Sequence, residues 1–211
     1  MWFRKKPSEP VDRQARGAKL ATLFDVPKQI AALCVPTGRL VIGPPPVSQW
    51  SSKRLEPLDR PCPTGTFPVD VCLTPVSASS EEAAIAAVRI MFSQTGVARW
   101  EVAMGGSAGR KRAADGTPGF NSARAVMMDA QTVPLFDTWI NECNSPTSWE
   151  QDVPFEEGKR WCHATLIPDE TRPENIAIFS TGTYDGVFVS YWGLDAQGAP
   201  VVLITDFNVV K

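Results

Sequence analysis

The amino-acid sequence predicts an α+β fold dominated by β structure, a largely antiparallel sheet with a few short helices packed on it. Three observations carry this expectation. Nineteen prolines in 211 residues leave little room for long helices, because an interior proline removes a backbone donor and clashes with the preceding turn. Beyond Trp161 the chain becomes a succession of short apolar runs joined by connections too brief for crossover helices, so those strands must pair antiparallel. Hydrophobic residues make up 43% and charged residues 21%, a globular balance. A chain of this size buries roughly 70% of its surface on folding, enough for a single domain over residues 11–211 preceded by an arm at 1–10.

The arm is marked by Pro7 and Pro10. From Val11 to Phe24, Arg13, Arg16 and Lys19 lie opposite Leu20, Leu23 and Phe24, the spacing of a short amphipathic helix. Pro27 is placed to start a second helical turn through Ile30 and Leu33, ended by Pro36, Thr37 and Gly38. Arg39–Ile42 reads as a strand, and the proline- and serine-rich stretch Gly43–Pro63 as a connector. Thr66–Leu73 reads as a strand that Pro68 confines to an edge or a strand start. Glu81–Gln94 is expected to be the strongest helix. Ser79 and Glu82 form a capping-box pattern, acids open the first turn, Gly96 stands at the C-cap, and Ile85, Val88 and Phe92 mark a buried stripe. A strand at Val97–Met104 and a helix at Pro134–Glu142 follow. Trp161–Ile167, Asn175–Phe179, Gly186–Trp192 and Val201–Asp206 complete the strands, the last two joined as a hairpin by Leu194–Ala199.

Charge and cysteine usage narrow the function classes. Twenty-one basic against 23 acidic residues give a net charge of −2, without the basic excess of a nucleic-acid-binding domain. The five cysteines, Cys34, Cys62, Cys72, Cys143 and Cys162, have neither framework nor knuckle spacing and are expected to be reduced. The basic N-terminus runs into polar residues where a signal peptide needs an apolar core, and no stretch approaches the roughly 18–20 apolar residues of a membrane span. The cytoplasm is the expected location. Cys162 and His163 are neighbours on a predicted strand and point to opposite faces, and no second ligand pair exists, so neither a metal nor another cofactor is expected.

Two clusters are candidates for chemistry or binding. Gly105-Gly106-Ser107-Ala108-Gly109 matches the pattern of a nucleophile elbow, in which a strained strand-to-helix turn exposes the serine beside an oxyanion hole. The helix is missing here, and His163, the single histidine, would have to serve as base from within a strand. A phosphate loop is excluded because Arg110 stands where the second glycine is required. Arg110, Lys111 and Arg112 form a basic patch on the loop that follows. Of seven tryptophans, Trp100, Trp139, Trp161 and Trp192 fall within predicted elements and are assigned to the core. Trp2, Trp50 and Trp149 fall in loops, where an indole needs either a partner or a loop folded back on the domain.

The C-terminal run Thr181-Gly182-Thr183-Tyr184-Asp185-Gly186-Val187-Phe188, the Trp192-Gly193 step, the Asp195-to-Gly198 turn and the closing Thr205-Asp206-Phe207 resemble a bacterial family of unknown function, domain-of-unknown-function family 4241. Pro63–Val69, Trp100–Ala103 and Gly119–Asp129 look like its upstream segments, and the likeness covers roughly residues 38–207. Of the family's acidic positions this chain keeps Asp129, Asp185 and Asp206, whereas Ser122 stands at another, which speaks against an enzyme built on them. The resemblance implies a β-rich domain and no particular reaction. Asp185-Gly186 also suits a turn entering a strand.

By elimination, the leading expectation is a cytoplasmic bacterial protein-binding module of the immunity type, recognising a toxin or other protein partner. Its surface is expected to include Trp50 or Trp149 with Arg110, Lys111 and Arg112, and the loop around Gly182 and Asp185 is the second candidate. The alternative is a serine hydrolase using Ser107 and His163.

Overall fold

The structure, a computed structural model, describes residues 12–45, 55–77, 81–105, 111–112, 118–121, 123–143, 149–158, 160–182 and 187–210. Thirteen strands among these residues form two antiparallel sheets. The first contains β1 (Lys28–Val35), β3 (Gly65–Pro75), β4 (Ala83–Met91), β13 (Pro200–Asp206) and β12 (Val187–Leu194) in that order. The far edge of β12 is shared by β5 (Arg99–Val102) and by β7 (Pro118–Asn121), with β6 (Lys111–Arg112) outside β7. The second sheet runs β2 (Leu40–Gly43), β8 (Arg124–Asp129), β11 (Ile176–Ser180), β10 (Cys162–Leu166) and β9 (Glu156–Glu157).

The sheets face each other as a sandwich. Its core takes Leu33, Val71, Ile85, Val88, Ile90, Trp192 and Leu203 from the first sheet and Ile42, Met127, Ala177 and Phe179 from the second. A helix covers each outer face. Helix α1 (Arg13–Ala21) lays Leu20 on the first sheet beside Ala86, Trp100, Val189 and Tyr191. Helix α2 (Val133–Glu142) buries Phe136 and Ile140 on the second, beside Val126, Met128 and Ile178. The predicted β-dominated α+β class, the antiparallel pairing and the β12–β13 hairpin are therefore present.

Helix α1 follows from its sequence signals. Asp12 caps it, its carboxylate accepting from the Ala15 amide at 3.1 Å, which satisfies one of the orphan donors of the first turn. Gly17 allows the helix to touch the sheet, since a Cβ there would lie 2.5 Å from the Trp100 indole. Gln14 accepts from the Trp100 amide at 2.6 Å. Of the basic residues on its opposite face, Arg13 and Lys19 are exposed and Arg16 is partly buried. Its guanidinium turns inward to the nearly buried Asp206 carboxylate and also donates to the Val210 carbonyl.

Two helical expectations are overturned for one physical reason. Glu81–Gln94 contains strand β4, and the turn expected from Pro27 through Leu33 is part of strand β1. In β4 a register shift opposite Cys72 and Leu73 inserts Ala86 as an extra residue. Ala86 and Ala87 both join the outer cluster, so Ile85 and Val88 both reach the sandwich core. A bulge thus turns the period of two into a spacing of three, which in sequence reads as a helix stripe. A strand covered on both faces also loses its polar alternation. In β1 the shift between Gln29 and Ala31 inserts Ile30, creating the same spacing to Leu33.

Two further strand readings change. Strand β8 lies where the sequence offered only the stretch up to Asp129; Ala125 and Met127 face the core and Val126 and Met128 face α2, so it too has no alternation. Strand β3 is not an edge, because β1 and β4 flank it. Pro68 nevertheless sits where β3 pairs with β1 alone, the β4 ladder beginning at Val69.

Strand β1 ends the first sheet, and side chains of the second sheet cover its free edge. Asn175 accepts from the Cys34 amide at 2.9 Å and donates to the Ala32 carbonyl at 2.8 Å, a side-chain amide standing in for a neighbouring strand. Thr165 donates to the Ile30 carbonyl at 3.1 Å. Asn175→Ala is expected to cost about 1–2 kcal/mol in a urea titration and to speed hydrogen exchange at Cys34. Unchanged exchange at that amide would contradict the edge-capping role.

Candidate functional site

His163 lies mid-strand in β10, paired with Glu156 and Phe179, and its side chain enters the margin of the sandwich core. It is 6% exposed and stacks on Trp161 with ring centroids 5.7 Å apart and planes 9° from parallel. Its Nε2 is buried without a hydrogen-bond partner, although Oε2 of Glu156 lies 3.4 Å away. The other oxygen of Glu156 accepts from Lys28 of β1, whose ammonium sits 4.5 Å from the centroid of the Trp161 ring. Burial holds the imidazole below its ordinary pKa, the Glu156 carboxylate opposing and Lys28 reinforcing that shift. Ser107 lies outside the described residues.

Cys162 turns to the opposite face, as the strand geometry predicts. Burial raises its thiol pKa, with Arg124 pulling the other way. Cys143, beside a groove of about 290 Å³ lined by Trp139, Glu142 and Asp152, is also raised, by burial and then by Asp152. Both shifts run opposite to those of a reactive cysteine, which needs a stabilised thiolate. All five cysteines are free, and among the described residues no three His, Cys, Asp or Glu side chains converge as metal ligands.

The expected recognition residues separate into three sets. Trp50, Arg110 and Asp185 fall outside the described residues. Trp149 is 2% exposed and packs in the cluster beneath α2, edge-on to both Phe136 and Trp139. Its expected role as an exposed anchor is therefore corrected: the loop folds back, because the outer face of the second sheet needs an apolar cover. The third set, Lys111, Arg112 and Gly182, lies within the described residues. Lys111 and Arg112 form β6, which pairs with Gly119 and Pro118 of β7. Asn121 and Phe120 of β7 in turn pair with Val187 and Phe188 at the start of β12. Strand β7 thus stands between β6 and the start of β12. Gly182 has φ +65°, and a Cβ there would approach the Phe207 carbonyl at 2.9 Å, so Gly182 is pressed against the residue that follows β13.

The two described acidic positions of the resemblance do separate structural work and share no partner. Asp129 accepts from the Thr37 amide and hydroxyl and from the Gln131 amide, fastening β8 to the β1–β2 turn. Asp206 holds Arg16 and the Asn208 amide, and Asn208 donates to the Val187 carbonyl. Sequence reasoning missed the pairings of Arg16, Lys28, Glu156 and the buried Glu174, which joins Gln131 and Arg172. Apart from Arg172, two residues from Glu174, the partners lie farther along the chain, and no local pattern carries such pairings.

A two-sheet antiparallel sandwich with one helix on each outer face, in which no three potential metal-ligating side chains converge among the described residues, is the class of protein defined so far. The chain belongs to the family described as protein of unknown function (DUF4241), whose profile matches residues 33–205. Helix α1 and the start of β1 precede the matched region. No curated protein and no solved structure matches the chain. Among the described residues no helix is long and apolar enough to cross a membrane.

Proposed function

We propose that this protein is a protein-binding module of the immunity type that acts in the bacterial cytoplasm and engages a toxin or other protein partner. The observation that supports the reading is the β6–β7–β12 pairing, which attaches the basic strand Lys111–Arg112 to the first sheet. A loop surface held on a rigid sheet suits recognition, and basic groups there favour a partner with an acidic patch. The five free thiols accord with a reducing compartment. His163 gives little support to hydrolysis, being buried in a strand under Trp161 with its Nε2 toward a carboxylate.

The test is coexpression with the product of the reading frame adjacent to its gene, followed by titration calorimetry of the purified pair. Reversing Lys111 and Arg112 to glutamate is expected to weaken binding at least about 30-fold, or about 2 kcal/mol, with the loss shrinking at high salt. Trp149→Phe should leave the affinity unchanged. Absence of a complex, or a complex indifferent to the charge reversal, overturns the reading.

A further inference from the structure

Where β1 of the first sheet meets β9 and β10 of the second, Lys28 and His163 share one carboxylate, that of Glu156. Glu156 gives one oxygen to Lys28 and holds the other 3.4 Å from Nε2 of His163. The imidazole is buried, its Nε2 has no hydrogen-bond partner, and Trp161 lies parallel beneath it. Lys28 sits over the same indole. Of the other neighbours, Phe179 of β11, which pairs with His163, is uncharged, and Arg160 in the β9–β10 turn is paired with Glu82. Glu157 pairs with Cys162, whose side chain faces the other way.

We propose that Lys28, Glu156 and His163 form an acid-sensitive clasp between the two sheets, in which protonation of His163 transfers Glu156 from Lys28 to the imidazolium and frees the start of β1. The neutral imidazole makes no bond to Glu156 in the present geometry. A proton on Nε2 creates a donor and a positive charge beside that carboxylate, while placing the same charge close to Lys28. Glu156 cannot neutralise both cations, and Lys28 is the more exposed of the two, so Lys28 is the one released to water. Lys28 is the first residue of β1, so its release acts on the end of an edge strand.

The sign of the pH dependence follows from burial. The folded state holds His163 below its ordinary pKa, so the associated stability is fully present above about pH 6.5 and is lost as pH falls through the lowered value. This clasp is independent of the proposed recognition surface.

Because His163 is the single histidine, its imidazole signals can be followed by NMR in the full chain without assignment ambiguity. The imidazole is expected to titrate below free histidine, and the amides of residues 28–31 to shift with the same midpoint. Their exchange protection should fall at least about threefold across that titration. Lys28→Met should raise the midpoint by removing a like charge, and Glu156→Gln should lower it and silence the β1 response. An imidazole that titrates while residues 28–31 stay still overturns the clasp, as does a midpoint that neither substitution moves. His163→Phe, read by the same amides, must give a β1 indifferent to pH, and a persisting response would also refute the proposal.

Discussion

Trp149→Ala is expected to lower the unfolding free energy by about 3–5 kcal/mol, the range for removing a large aromatic side chain from a packed core. The indole is 2% exposed and meets Phe136 at 5.5 Å and Trp139 at 6.2 Å between ring centroids, both edge-on. Its loss opens a cavity between α2 and the outer face of the second sheet, where Val126, Met128 and Ile178 also pack. Urea denaturation followed by circular dichroism reads the effect, and Trp149→Phe should retain much of the stability. An exposed anchor would give the opposite result, with stability unchanged and only binding affected, so a loss below about 1 kcal/mol would return Trp149 to the surface.

The second large effect is expected at Arg16. Its guanidinium reaches the Asp206 carboxylate at 2.5 Å, with both side chains largely buried. Burial pushes the Asp206 carboxyl above its usual range even with Arg16 beside it. The fold therefore favours the neutral acid, and the contribution of this group to stability is lost as pH rises through its raised value. Arg16→Met keeps most of the aliphatic packing and leaves the carboxylate uncompensated, which should cost about 3–5 kcal/mol at pH 7. The deficit should shrink as pH falls and Asp206 takes up a proton. Asp206→Asn in the Arg16→Met background should recover part of the loss at neutral pH. A deficit that is constant with pH would show that Arg16 acts through packing alone.

The sequence readings that succeeded rest on local chemistry. Asp12 caps α1 whatever lies beyond it. The carboxylate of Asp195 accepts from the Gln197 and Ala199 amides, closing the β12–β13 hairpin within a handful of residues. Strands β10, β11, β12 and β13 are bounded by turn residues, and α2 carries Phe136 and Ile140 at helical spacing.

The failures share a different cause. Ile85 and Val88 are spaced as on a helix, and only the register against Cys72 and Leu73 shows the spacing to be a bulge. Alanine adds to the ambiguity, since it suits a helix by propensity and a crowded sheet by size; Ala84, Ala86 and Ala87 are all buried in β4. The candidate site divides in the same way. Local sequence singled out the basic hairpin, the glycine-containing loop and His163, each by residue type. That Lys111 and Arg112 join the first sheet through β7 was decided by a two-residue pairing between β7 and β12, and that His163 faces Glu156 and Lys28 by the crossing of β10 over β1. Caps, turns and short-range periodicity act through neighbours in the chain, so the sequence by itself determined them here. Bulge register, the inward turn of Arg16 and the burial of Trp149 depend on which distant strand or helix supplies the opposing surface, and only the tertiary structure decided them.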